Sequence, residues 1–271
     1  MTNIKYKIIS FVNGSELVKL EQFNNSLSLN KSTGFLIFTP DMPAAVLLNI
    51  NLYLIRHGET FQNERDRKYG FLGAIDEPIN QLNENGTSQA KNSALEMYKV
   101  IQNRTDDLKE TIPDILKNIG IVTSKRTRTV DTATPFIRLI KEKTGVSLPY
   151  TQEKLANEIS FGDSENKYIK DLSHDERAGI VNYTKSMVNT RPKNGESYLD
   201  LMLRAQELLQ ILNSRYKGKT VILFGHGAHF GAIRILCGDT SIISDDGLNI
   251  KWRDKITPNA TPYHLNPMIY R

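Results

Sequence analysis

The sequence predicts an α/β fold, a layered sheet whose strands alternate with helices. Three observations carry this. Apolar runs such as "NINLYLI" (49–55), "IGIVTS" (119–124) and "TVILFG" (220–225) read as buried strands. Amphipathic helical segments separate them. Two strands end alike, in "LIRHG" and "LFGHG", each placing a histidine and a glycine just after a buried run. Open α/β sheets bind ligands at the carboxyl ends of their strands, so this repeated ending marks a candidate site.

The elements follow in chain order. Residues 1–47 read as a small β-rich extension, a hairpin or meander. "KYKIISFV" and "GFLIFTPD" are strand-like in their β-branched and aromatic content, "NNSLSLNKSTG" is turn-rich, and "TPDMP" is the joint. Residues 48–271 form the main domain. Its first strand runs into Arg56-His57-Gly58. A helix over 83–102 is offered caps by Asn85 and Thr87, and Ala90, Ala94, Leu95, Met97, Tyr98 and Ile101 recur at helical spacing. The strand at 119–124 leads into a helix over 127–144 closed by Gly145, with Pro135 expected to disturb it. A long polar excursion follows over 157–195. A clear amphipathic helix occupies 196–216, and 219–238 is a strand, a glycine turn and a helix. "ITPNATPYHL" reads as a turn and an edge strand.

The chain has 271 residues, 39% hydrophobic and 24% charged, enough for a sizeable core. Lys plus Arg is 35 against 30 acids, a net charge of +5. That surplus suits a phosphate-bearing substrate, but without a clustered basic stripe it points to no nucleic-acid partner. No apolar run reaches the length of a membrane span, so no membrane partner is expected. One cysteine, Cys237, excludes an intrachain disulfide and fits a reducing compartment. The first residues lack a cleavable signal, so a cytoplasmic location is expected. With one cysteine and five histidines, a structural zinc site is not expected.

Singly, Arg56-His57 and His226 are equally readable as solvated or satisfied strand ends. Together with the arginine at a third strand end ("TSKRTRTVDTA") and the glutamate of "NEISFG", they form two cations, two imidazoles and one carboxylic acid. Phosphoryl transfer needs that inventory: a nucleophile, neutralisation of the phosphoryl oxygens and an acid for the leaving group.

Six segments in order, "LIRHGETFQN", "GAIDEPINQLNENGTSQA", "TSKRTRTVDTA", "NEISFGDSEN", "NGESYLDLMLR" and "VILFGHG", resemble the histidine phosphatase superfamily of phosphoglycerate mutase-like proteins, over about 51–265. The resemblance implies a three-layer α/β/α phosphoglycerate mutase-like domain. It implies a phosphoric monoester hydrolase of the histidine acid or sugar-phosphate type, working without a cofactor or metal on a small phosphorylated metabolite. His57 would become the phosphohistidine, Arg56 and Arg128 would clamp its oxygens, and His226 would donate to the phosphoryl group. Glu158 would be the general acid. Asn63, Thr60 and Gly227 would help bind substrate. Glu196 would hold an arginine, or serve only as a helix-start acid. Arg126 is assigned to the surface or the substrate side, His229 to a helix cap or surface position in preference to the pocket mouth, and His174 to solvent.

Two departures favour the phosphatase branch over a mutase-type phosphotransferase. The segment after Glu158 lacks the mutases' arginine cluster, and Gly70 stands where an arginine is usual, with Arg67 and Lys68 out of register. Gly225 replaces the usual serine, threonine or cysteine before His226. A weakly active regulatory or binding member of the superfamily is the reading from a different class. A homo-oligomer is compatible with the sequence.

Overall fold

The computed structural model describes residues 6–12, 15–20, 27–30, 36–38, 46–65, 75–108, 111–167, 171–178, 191–239, 242 and 257–265. The chain begins with four strands, β1 (Tyr6–Val12), β2 (Ser15–Leu20), β3 (Leu27–Asn30) and β4 (Leu36–Phe38), paired antiparallel in sequence order. This is a meander, with a register shift between Ile8 and Ser10. It is the meander of the two alternatives, with two strands beyond the two runs whose composition is strand-like. Strand β3 lies inside the stretch expected to be turn, because ladder pairing on both sides outweighs the low strand propensity of Ser28 and Asn30. The "TPDMP" joint lies outside the described residues.

The second sheet has five strands in the order β7-β6-β8-β5-β9. Strands β5 (Asn51–Arg56), β6 (Ile119–Ser124), β7 (Tyr150–Glu153) and β8 (Thr220–Gly225) are parallel, and β9 (Pro262–Leu265) is an antiparallel edge. Sequence reading missed β7. It is a short edge strand whose side chains alternate between exposed and half-buried, and it carries no apolar run.

The helices include α1 (Phe61–Arg65), α2 (Glu84–Leu108), α3 (Ile112–Lys117), α4 (Thr127–Thr144), α5 (Tyr198–Arg215) and α6 (Gly227–Leu236). Side chains of the parallel strands alternate between two cores. Leu52, Leu54, Val122, Val221 and Leu223 pack with α5 and α6, while Ile55, Ile121, Ile222 and Phe224 pack with α2, α3 and α4. The result is three layers, helix–sheet–helix.

Local chemistry explains the helix boundaries. Asn83, not Asn85 or Thr87, caps α2: its Oδ1 accepts from the Gly86 amide at 2.7 Å and its Nδ2 donates to Glu59 at 2.8 Å. Leu95 is 51% exposed, because it sits one residue off the stripe of Ala90, Ala94, Met97 and Ile101 that faces the core. Helix α4 runs unbroken through Pro135 and ends at Gly145, whose φ of 74° allows the left-handed cap. Ser197 and Asp200 form a reciprocal capping box on α5. Among the described residues no helix is long and apolar enough to cross a membrane.

Candidate active site

Strands β5 and β8 are neighbours with Arg56 opposite Gly225. Their endings therefore stand side by side. The His57 and His226 rings lie 5.4 Å apart, centroid to centroid, at 60°. Both are buried.

His57 is held on every side. Its amide donates to the Gly225 carbonyl at 3.0 Å, and its own carbonyl accepts from Asn259 Nδ2 at 2.7 Å. Its Nδ1 lies 2.7 Å from the Gly58 carbonyl. A carbonyl can only accept, so Nδ1 carries the proton and Nε2 keeps the lone pair. Burial, then the charges of Arg128 and Arg56, push the His57 pKa well below the usual histidine value. The imidazole is neutral near pH 7. Around it, the Gly58 amide donates to Thr132 Oγ1 at 3.0 Å and the Glu59 amide to Gln89 Oε1 at 2.9 Å. Gly58 and Gly86 pass so closely that a Cβ on Gly58 would overlap the Gly86 backbone, and one on Gly86 the Glu59 backbone.

Thr60 and Asn63 bond each other reciprocally. The Asn63 amide donates to Thr60 Oγ1 at 3.1 Å and the Thr60 amide to Asn63 Oδ1 at 3.3 Å, which caps α1. Asn63 Nδ2 makes no hydrogen bond among the described residues.

Arg128, on the first turn of α4, is wholly buried. It donates to the Ile75 carbonyl at 3.2 Å and to His226 Nδ1 at 3.3 Å. A guanidinium only donates, so His226 Nδ1 accepts. The neutral ring then directs Nε2–H at Ser124 Oγ, 2.8 Å away. Both His226 nitrogens are thus engaged, and burial holds its pKa well below the ordinary value. Burial brings the Arg128 pKa down to about 10, which leaves it charged at neutral pH. Arg56 reaches the Thr257 carbonyl at 3.5 Å, and its buried Nε has no partner among the described residues.

Glu158 lies buried against the start of α6. Its carboxylate accepts from the Ile159, Ala228 and His229 amides at 3.0, 3.2 and 3.2 Å. Burial raises its pKa more than these amides and the two arginines lower it. Gly227 is the buried first residue of α6, between His226 and the amide that meets Glu158. Glu196 forms a two-pronged pair with Arg204, at 3.0 and 2.8 Å. Arg204 donates also to the carbonyls of Leu155, Asn157 and Glu158, so the pair ties down the loop that carries Glu158.

His229 is fully buried, which corrects its assignment to a cap or the surface. Its backbone amide, not its ring, does the bonding at the helix start. The ring is carried inward because α6 is enclosed on nearly every side, nine of its ten residues, Arg234 among them, being buried. Gly225 is also explained: the Phe230 ring fills the place of a side chain, its Cε1 2.7 Å from an ideal Cβ. Gly70, Arg67 and Lys68 lie outside the described residues. His174 is exposed.

Sequence reasoning missed Ser124, Arg204 and Asn259. The first two lie inside quoted motifs. Glu165 accepts from the Ile75 and Phe161 amides, both at 2.9 Å, joining two loops that frame the site. Nothing in the sequence marked Asn259. Among the described residues, no group of three or more His, Cys, Asp or Glu side chains is placed to hold a metal. The arrangement presents a lone pair, two cations, Arg128 buried and Arg56 half-buried, and a carboxyl with a raised pKa, the parts that phosphoryl transfer through an enzyme histidine requires.

The fold is shared with solved structures. YhfR of Bacillus stearothermophilus has a TM-score of 0.55 at 24% identity, over 79% of this chain and 89% of that one. The α-ribazole phosphatase of Shigella flexneri gives 0.53 at 18%, over 80% and 100%. The mycobacterial glucosyl-3-phosphoglycerate phosphatase gives 0.52 at 21%, over 80% and 90%. No curated protein matches the chain. The family model of the histidine phosphatase superfamily (branch 1) matches residues 52–242, a span holding His57, His226, Arg56, Arg128 and Glu158, and the chain belongs to that superfamily.

Proposed function

We propose that the protein is a phosphomonoester hydrolase acting on a small phosphorylated metabolite, sugar phosphates included, through a phosphohistidine at His57. One observation carries this reading most directly: the Gly58 carbonyl fixes the His57 tautomer and leaves Nε2 free to attack. In the first step Nε2 bonds to phosphorus, the ester P–O bond breaks, and Glu158 gives its proton to the departing oxygen. In the second, Glu158 takes a proton from water, the water oxygen bonds to phosphorus, and the N–P bond breaks to release phosphate. Arg56 and Arg128 neutralise the phosphoryl oxygens, and Arg suits this better than Lys because its fork can bond two oxygens at once. Asn63 Nδ2 and the hydroxyl of Thr60 border the same loop and would bind the phosphoryl group. His226 would exchange its Ser124 bond for one to the phosphoryl group. The names of two similar structures, phosphatases of α-ribazole phosphate type and of glucosyl-3-phosphoglycerate, support the substrate class.

The test is turnover of a phosphate ester with a labelled phosphoryl group. Acid-labile label should appear on the wild-type protein, and His57→Ala should lose nearly all turnover and all label. Substantial turnover in the alanine variant would sink the reading. Because the two arginines carry the neutralisation, a chelator should leave the rate unchanged, and vanadate should inhibit. Restoration of a chelated, dead enzyme by magnesium would contradict that. Release to a hydroxyl acceptor in preference to water would mark a mutase instead.

A further inference from the structure

Arg126 is a third arginine beside the site, and it has no work in the mechanism above. It follows β6 and occupies the cap position of α4. Its backbone is pinned: the amide donates to Ser124 Oγ at 3.1 Å, and its carbonyl accepts from the Thr129 amide at 2.9 Å. Ser124 is the residue that holds His226, so the phosphoryl pocket and Arg126 share one anchor.

Its side chain, by contrast, has no partner among the described residues. No hydrogen bond or ion pair to its guanidinium occurs among the described residues, and its Nε is buried without an acceptor. The position is also electrostatically adverse. A helix N-terminus repels a cation, and Arg126 adds its charge to those felt by Arg128 and His226. The nearby carboxylates are already taken. Asp76 accepts from the Thr127 amide at 3.0 Å and hydroxyl at 2.6 Å, serving as the remote cap of α4. Glu158 is bound by three amides. Arg128 and Arg126 are two residues apart at a helix start, so they project in different directions. Two arginines already serve the transferred phosphoryl group. The third, close enough for its charge to act on Arg128 and His226 and unpaired among the described residues, is available to a different group of the same substrate.

We propose that Arg126 binds a second anionic group of the substrate, a carboxylate or a further phosphate, and so selects phosphate monoesters that carry one. This rests on the phosphatase reading. The experiment uses two matched pairs: glycerol 3-phosphate against 3-phosphoglycerate, and fructose 6-phosphate against fructose 1,6-bisphosphate. In the wild type kcat/KM should favour the doubly anionic member by about 10-fold or more, the size of one charge-assisted contact. In Arg126→Gln that ratio should fall towards one, chiefly through KM. Arg126→Lys, which keeps the charge but loses the fork, should retain part of it and serves also if the glutamine variant does not fold. Binding of the same four compounds to His57→Ala, with and without Arg126→Gln, reads the contact apart from chemistry. A wild-type ratio near one in both pairs, or a ratio that survives Arg126→Gln, overturns the proposal and leaves the phosphatase reading standing. Absence of turnover with every ester, alongside a binding preference that Arg126→Gln abolishes, overturns the phosphatase reading and leaves the Arg126 site standing.

Discussion

His57 and Glu158 carry opposite pKa shifts from one cause, burial: the imidazole is pushed down and the carboxyl up. Each shift favours the neutral form, and the proposed chemistry needs both neutral at once. The pH consequence follows in sign. Attack by His57 is present above its lowered pKa and lost as pH falls through it. Proton donation by Glu158 is present below its raised pKa and lost as pH rises through it. We therefore expect kcat/KM to peak on the acid side of neutrality, with Glu158→Gln abolishing the alkaline limb. The same variant should separate leaving groups. General acid catalysis contributes about 10²–10⁴-fold, and a sugar alkoxide needs the proton where a nitrophenolate does not. Phosphoenzyme formation in Glu158→Gln, followed by transient kinetics, should fall greatly with sugar phosphates and little with nitrophenyl phosphate. Equal losses with both would reduce Glu158 to a positioning role.

Between elements, two joints set the geometry. The first is the crossing of Gly58 and Gly86, where the His57 loop lies against the first turn of α2 with no room for a methyl. Gly86→Ala should destabilise the protein by about 1–3 kcal/mol, the range for overpacking, seen as a lower Tm, with lost turnover as α2 moves off the loop. An unchanged Tm would mean that the crossing relaxes freely. The second joint is Arg204, which bridges α5 to the carbonyls of the acid loop. Arg204→Ala leaves those carbonyls without their donor and Glu196 without its partner. Turnover of sugar phosphates should drop at least 10-fold, within the worth of a displaced general acid, while nitrophenyl phosphate suffers less. Equal effects would place Arg204 in overall stability instead.

For the molecule as a whole, we propose that 1–47 is an extension and 48–271 the catalytic unit, since every proposed catalytic residue follows residue 48. A protein truncated at 47 should lose stability or solubility rather than turnover per folded molecule. Full stability with no turnover would show that the boundary is misplaced.

The sequence by itself determined the strand endings, the period of the main helices, the Gly145 stop and the ordered motifs that mark the family. These are local properties, set by side-chain pattern and backbone freedom within a few residues. It was also enough to single out His57, Arg56, Arg128, His226 and Glu158 as one chemical inventory. Only the tertiary structure decided that β5 and β8 are neighbours in a register that sets the two histidines side by side. The same holds for the Nδ1 proton of His57, the burial of His229, the capping of α4 by Asp76 from 51 residues away and the bonding of Asn259 to His57 across 202. The reason is physical. Burial and hydrogen-bond partners across such separations arise when elements pack, and pKa shifts follow from burial, so no local pattern in the chain encodes them.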